Sequence, residues 1–600
     1  MSKILTKRHL LLLLFLLLVG CASETGLVLR GSERSQASSQ KLNRLFEEYF
    51  EEHLRLSPIF ATSIGDHRYD DRVGIGISEE HREKERNVYK SYLGKLAELN
   101  RDALEGHDRL SYDLFKYRLT LNLEGLQFNQ HLLPIRQLFN TPVEFPLLGS
   151  GRGIHPFRTV KDYDNFLERV KDFQLWVDTA IANMRRGVEA GIAQPKVVME
   201  RTLPQLEAMI VSDLKQSILF QPILRMPPTF DETEKARLTQ AYAQAIEEQV
   251  IPTYRKLHSF IRDEYLPRCR DSVGMYDLPG GSEWYAHLVK AHTTTNSTPE
   301  EILQLGLAEV ERITGEINKL KGNSGFEGSL GQFASFLAKN TPAYRTKEDL
   351  IKAYEGLRTR VAPLLPRLFG RLPKAPYEIR PIEEFRERSS PPQYRSASPD
   401  GTRPAIFYVN AAGVSRGPVR RSESLFLHEA MPGHHLQISL QREQADLPRF
   451  RRFGSYTAFS EGWALYAENL GQELGLYTDP HQNFLRLNSE RFRAVRLVVD
   501  VGLHHKGWTR EQALKYMREN TLAGDPGAML EIDRYIAWPG QALAYKIGQL
   551  KISAMRAKAE KVLGLRFDIS VFHDELLKDG AMPLDLLEAK MNAWLTSQQP

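Results

Sequence analysis

The chain has 600 residues, 42% hydrophobic and 26% charged, with a formal net charge of only +5. That length allows two to four lobes with a sizeable core. Basic residues are scattered and interleaved with acids, which excludes a nucleic-acid stripe. There are two cysteines, Cys21 and Cys269. An exported chain with one of them committed elsewhere makes no internal disulfide, and a thiol mechanism is disfavoured.

The N-terminus, "MSKILTKRHLLLLLFLLLVGCASE", has a basic front (Lys3, Lys7, Arg8) and an apolar run from Leu10 to Val19. The run is short for a bilayer span and is built like a secretory signal. Its end, Leu18-Val19-Gly20-Cys21, resembles the bacterial lipobox. The resemblance implies a signal peptide over 1–20 and lipidation of Cys21, which anchors the chain without a spanning helix. Ala22 in place of aspartate resembles an outer-membrane address facing the periplasm. Residues 21–40 are small and polar and read as a flexible tether.

From Leu42 the pattern turns helical, with Leu42, Leu45, Phe46 and Phe50 on one stripe. Similar stripes predict helices at 81–104, 160–190, 204–223, 233–265, 300–322, 347–368, 421–443, 458–475, 481–505, 510–520, 540–564 and 583–596. Thr298, Pro299 and Glu301 form a capping-box start signal. Residues 271–299 are rich in Gly, Thr and Pro, and divide an N-terminal helical half (41–290) from a C-terminal half (291–600) carrying the chemistry. The one good strand signal is "PAIFYVNAAG" (404–413), whose "FYVN" (407–410) reads as an edge strand able to pair with an extended peptide. The expectation is a mainly α protein with a small β element. "GSGRGIHP" (149–156) lacks the lysine and flanking strand of a phosphate loop and reads as a plain loop.

"LFLHEAMPGHHLQ" (425–437) carries the chemistry. His428 and Glu429 begin like HExxH, in which two histidines one turn apart hold zinc and the glutamate activates water. Here proline occupies position 432, and the next histidines are His434 and His435. On a regular helix, position +6 lies roughly 120° round the axis and +7 about 10 Å along it, so neither shares a metal with His428. Pro432 lacks an N–H and Gly433 tolerates unusual backbone angles. Together they can loop out about two residues and bring a second histidine back. Some thirty residues on, "FSEGWALYAENL" (459–470) places Glu461 and Glu468 two helical turns apart. Glu461 is the expected third ligand, and Glu468 an expected hydrogen-bond partner of a histidine ligand.

Together, "HEAMPGHHLQ", "SEGWALYAE" and "RYIAWPGQALAYKIGQLKI" resemble the bacterial domain-of-unknown-function family eight-eight-five (DUF885), read as zinc metallopeptidases that are often exported lipoproteins. The resemblance extends to 278–302 and 490–513 and covers nearly everything from residue 40. A more distant likeness is to thermostable carboxypeptidase and thimet oligopeptidase, all-α gluzincins with a deep cleft and an HExGH motif. Set beside that motif, "HEAMPGHH" favours His434 over His435. The likeness implies zinc on His428, His434 and Glu461, Glu429 as general base and Tyr545 as oxyanion donor, with Tyr535 second choice. It implies a multi-helix gluzincin-like fold with the β element near the metal.

The helix "RFRAVRLVVDVGLHHKGW" sets Arg496, Asp500 and His504 at i, i+4 spacing among apolar residues, a predicted ion ladder or pocket wall, with His504 a competing ligand. Arg493 or Arg534 could clamp a substrate carboxylate. The expected activity is zinc-dependent hydrolysis of short or cell-envelope peptides by a membrane-anchored protein. Its alternatives are a zinc amidase on a non-peptide amide, or a non-catalytic peptide- or cell-wall-binding lipoprotein. The sequence leaves cleavage direction and oligomeric state open.

Overall fold

The computed structural model describes residues 36–599 except 340, 384–386, 388–390, 400 and 402. The expected signal peptide, Cys21 and most of the tether lie outside the described residues. Among the described residues the protein is mainly helical, 68%, with one three-stranded sheet. A first helix occupies 36–56, so the last five residues of the expected tether are helical. Among the described residues no helix is long and apolar enough to cross a membrane.

The long helices begin where the sequence caps them. Helix α1 (Val160–Glu189) starts at a Thr159–Asp162 capping box and buries Tyr163, Phe166, Val170, Phe173 and Val177 at three- and four-residue steps. Helix α2 (Pro299–Asn323) starts at the Thr298–Glu301 box with Pro299 in its first turn. It packs along α3 (Pro480–His504), the central helix of the molecule. Residues 494–504 of α3 are buried without interruption.

The polar residues on α3 do not form the predicted ladder. Arg496 donates to Tyr535 Oη (3.0 Å) and Glu531 (3.2 Å), Asp500 accepts from Tyr285 Oη (2.6 Å), and His504 meets Met275 N (3.2 Å) and Tyr535 O (2.9 Å). With every face of α3 buried, each side chain finds its partner on a neighbouring element.

The stripe at 204–223 is not one helix. A helix runs Lys196–Glu207, followed by three short 3₁₀ turns. Asp213 and Ser217 accept from the amides two residues on, so local side-chain capping outcompetes the helix.

In the sheet, β1 (Tyr377–Pro381) runs parallel to β3 (Ala405–Val409), and β2 (Gln393–Arg395) runs antiparallel to β3 on its other side. Tyr394 faces Phe407 in register. The predicted edge strand is therefore the central one, buried at all five positions, and both of its sides are occupied. Among the described residues two large apolar cores result, beside a small cluster of Ile382, Ile406 and Tyr408, and each large core draws residues from both sides of the expected 290/291 boundary.

Candidate metal centre

Helix α4 (Glu423–Glu429) is capped by Ser422, which accepts from Leu425 N. The chain leaves helical geometry at Ala430 and resumes it in α5 (His434–Glu443). Residues 430–433 are the looped-out segment, with a cis Met431–Pro432 peptide bond. Trp463 Nε1 donates to Pro432 O at 2.9 Å, and His435 N donates to Ala430 O at 3.2 Å. Gly433 lies so close to the preceding turn that a Cβ there would sit 2.0 Å from His428 O and 2.2 Å from Leu427 O. Only glycine lets the chain double back this tightly.

The outcome is that His428 and His434 become neighbours, with ring centroids 4.8 Å apart and planes at 87°. Helix α6 (Thr457–Asn469) brings Glu461 to them. Glu461 Oε2 lies 3.5 Å from His428 Nε2 and 3.5 Å from His434 Nε2. Two ligands at about 2.1 Å from one tetrahedral ion stand about 3.4 Å apart, so these separations fit a shared zinc. Among the described residues, one ligand atom from each of His428, His434 and Glu461 lies within 4.8 Å of the others. Glu461 Oε2 and His434 Nδ1 are buried and make no hydrogen bond, so the acceptor oxygen faces two ring nitrogens with nothing bound to it. That donor set fits a divalent cation.

The surroundings are acidic. Glu468 Oε1 lies 2.9 Å from His428 Nδ1, fixing the ring so that Nε2 faces Glu461. Burial lowers the His428 pKa, but the carboxylates of Glu461 and Glu468 and the charge of Glu429 outweigh it and raise it to about 10. Glu461 is pushed up by burial and pulled further down by His434 and His428, ending below the usual carboxylate range. Glu429 is buried, and burial raises its carboxyl despite His428, His434 and a backbone hydrogen bond from Tyr394. A raised carboxyl beside the two histidines and Glu461 suits a group that takes up and returns a proton.

Tyr545 lies on helix α7 (Ala544–Leu563), which crosses α6 at a pair of glycines. A Cβ on Gly462 would meet Gly548 Cα at 2.4 Å, and one on Gly548 would meet Ala458 O at 2.0 Å. This crossing brings Tyr545 within electrostatic reach of Glu461, whose charge adds to burial in raising the tyrosine pKa. Arg496 sits 4.6 Å over the Tyr545 ring.

The other predicted residues are placed differently. His435 is buried, with Nε2 3.0 Å from Ala375 O and Nδ1 3.1 Å from Tyr394 Oη; burial lowers it to about 4, as suits a neutral structural ring. Arg493 stands behind the ligands, 4.0 Å from Glu468 and bonded to Ser489. Arg534 is committed to Glu531 (3.1 Å) and Gln541 (2.7 Å), and the Tyr535 hydroxyl to Glu531 and Arg496. His504 is held on α3, away from the cluster. Burial pushes the Cys269 thiol up to about 12, which leaves it inert.

A cavity of about 1250 Å³ lies beside the centre, between N-terminal helices and a wall made by β2, Tyr408 and residues 536–539. None of the three ligands lines it; it meets the centre at Tyr394, whose backbone bonds Glu429. Sequence reasoning missed Tyr394, Trp463 and the Arg496–Glu531 pair. Trp463 was legible as an apolar-face residue, but its bond to Pro432 has no local signature.

No curated protein matches the chain. Solved structures do, among them two described as lipoproteins. One, "the putative lipoprotein from Colwellia psychrerythraea", is 28% identical with a TM-score of 0.86, covering 94% of this chain and all of that one. The other, "a putative lipoprotein of unknown function from Shewanella oneidensis", is 18% identical with a TM-score of 0.66, covering 92% of this chain and 99% of that one; it speaks for the fold alone. A family model described as "Bacterial protein of unknown function (DUF885)" matches residues 58–591. The chain therefore belongs to the DUF885 family.

Proposed function

We propose that this protein is a zinc-dependent hydrolase of peptide bonds, held in the bacterial envelope through lipid on Cys21. The observation that carries the reading is the convergence of His428, His434 and Glu461, with an unsatisfied carboxylate oxygen at its centre and Glu429 buried alongside. His428, His434 and Glu461 would hold the ion. When bound, zinc supplies Lewis acidity to a water and a carbonyl. Glu429 takes the proton from the attacking water and delivers it to the leaving amine nitrogen. Glu468 keeps the His428 ring oriented and its Nε2 free. The Tyr545 hydroxyl donates to the oxygen that gains negative charge. Glu461 is 21% exposed at its side chain, more than His428 or His434, and is the side from which a substrate would approach. Short peptides and cell-wall stems suit a site tethered at the membrane, and the all-α likeness to thermostable carboxypeptidase and thimet oligopeptidase agrees with this chemistry.

The test is metal content by mass spectrometry together with hydrolysis of a mixed peptide library. Wild type is expected to hold about one zinc per chain. His434→Ala loses it, and His435→Ala keeps it. Wild type that takes up no metal after zinc loading, or that leaves every peptide intact when loaded, overturns the reading.

A further inference from the structure

Five arginines line the large cavity: Arg82, Arg136, Arg152, Arg270 and Arg395. On the rest of the surface arginines commonly pair with carboxylates, as Arg101 does with Asp113, Arg185 with Glu264 and Arg237 with Asp164. In the cavity none of the five lies within ion-pair distance of a carboxylate among the described residues. Their donors go to neutral carbonyls: Arg82 to Leu126 (2.9 Å), Arg136 to Leu138 (2.9 Å), Arg270 to Ala193 (3.0 Å) and Arg395 to Arg152 (3.5 Å). The lining includes three glutamates and no aspartate or lysine. Glu85 is engaged by Tyr89 and His81, and Glu144 and Glu383 have partners of their own. Five positive charges against three negative leave an excess of two in a half-enclosed space.

Arg136 is the best organised of the five. Its Nε and Nη1 are fixed by Leu138 O and Ala537 O, and its guanidinium lies 5.5 Å over the Trp538 ring. Two of its five N–H donors are thus used for aim, and the rest are available to a planar anion. The cavity is also lined by β2, an edge strand whose Tyr394 backbone bonds Glu429. An edge strand in the lining favours an extended peptide over a small inorganic anion.

We propose that this cavity binds the carboxylate-bearing end of an acidic peptide, with its free carboxylate on Arg136 and further acidic groups on Arg395 and Arg152. The inference rests on the hydrolase reading only for its choice of peptide as the molecule. It moves the carboxylate contact expected of Arg493 or Arg534 to an arginine of the N-terminal half.

The test uses the full-length protein and the peptide Ala-Leu-Ala-Ala-Glu as free acid, beside Ala-Leu-Ala-Ala-Gln amide. Binding is measured by calorimetry on Glu429→Gln, so that substrate persists, and hydrolysis on wild type. The acid is expected to bind about 10–100-fold tighter than the amide, as a charge-assisted hydrogen bond gives. Arg136→Gln removes that preference and leaves amide binding unchanged. If Arg136→Gln lowers the melting temperature, Arg152→Gln decides: its side chain makes no hydrogen bond among the described residues, and its loss must still weaken the acid about 2–3-fold by charge alone. Equal binding of acid and amide, or displacement of the acid by inorganic phosphate at the peptide's own concentration, overturns the proposal. Equal kcat/KM on both peptides sinks the cavity assignment and leaves the hydrolase standing. Acid-selective binding in a protein that holds no zinc and cleaves nothing does the reverse.

Discussion

Lys546 is fully buried, and its ammonium meets Glu490 (2.8 Å), Gln549 (2.8 Å) and Glu309 (2.9 Å). Arg312 closes the network by reaching both glutamates. On the neighbouring helix, Glu461 Oε2 has two imidazole nitrogens at 3.5 Å and no hydrogen bond. The first cluster balances charge and uses every Lys546 donor. The second gathers Glu429, Glu461 and Glu468 round two histidines. Burying an unpaired charge is costly, so a polar cluster kept for structure closes on itself. One that stays electrically open suits a cation, as proposed above. The same contrast separates the paired surface arginines from those in the cavity, which meet no carboxylate among the described residues.

The comparison can be broken by removing one group from each side. In the open cluster, Glu429→Gln keeps size and loses the proton acceptor. The expected outcome is a fall in kcat of about 10²–10⁴ with zinc content unchanged, read by steady-state kinetics and metal analysis together. If zinc is lost as well, Glu429 belongs to the ligand framework instead. In the closed cluster, Lys546→Met strands Glu309 and Glu490 against each other. A loss of about 3–5 kcal/mol in urea unfolding is expected, with zinc still bound. A neutral result would show that the network is no more than filling. Glu468→Gln lies between these cases. It retains a hydrogen bond to His428 but loses the charge, and zinc affinity should fall about 10–100-fold in a chelator competition. An unchanged affinity would mean that Glu468 only fills space behind the ring.

The long helices were legible because their apolar period and caps are local. The stripes at 160–190 and 300–322 meet helices at Val160–Glu189 and Pro299–Asn323. The convergence of His428, His434 and Glu461 was legible for a related reason: an interrupted HE motif and a glutamate helix each have their own pattern, and Pro432-Gly433 offers the means of joining them. What escaped was pairing over distance. Three residues, Gln393–Arg395, are too few to show a strand period, so β3 looked like an edge. Arg136 reaches Ala537 O across 401 positions, and no window of sequence contains both. Arg493 looked free because its partner, Glu468, becomes a neighbour only after folding, whereas Arg534 pairs with Glu531 three residues away on its own helix, a local signal that was passed over. Asp500 and His504 have ideal spacing for a pair, but a helix buried on all sides offers each a partner elsewhere.

The smallest expected effect sharpens the comparison most. Asp500 is fully buried and accepts from Tyr285 Oη (2.6 Å) and Gly540 N (3.0 Å). Burial, only partly offset by those two bonds and by Arg534, pushes its carboxyl up from 3.8 to about 7. Glu309, also penalised by burial, has Arg312 and Lys546 at hand and is held down at about 2. The two groups therefore tilt stability in opposite directions. Asp500 binds its proton more tightly folded than unfolded, so its contribution is full below about pH 4 and is lost as pH rises to about 7. Glu309 contributes above its unfolded value of 4.5 and loses that contribution as pH falls towards 2. The Asp500 shift corresponds to no more than about 4 kcal/mol, and relaxation round the ionised carboxylate reduces it. Unfolding free energies measured from about pH 4 to 7 should fall less steeply in Asp500→Asn than in wild type, while Glu309→Gln changes only the acid limb. Identical slopes in wild type and Asp500→Asn would show that Tyr285 and Gly540 satisfy the carboxylate as fully as an arginine would. Hydrogen bonds alone would then close a buried acid site, and the open state of Glu461 would be the more exceptional for it.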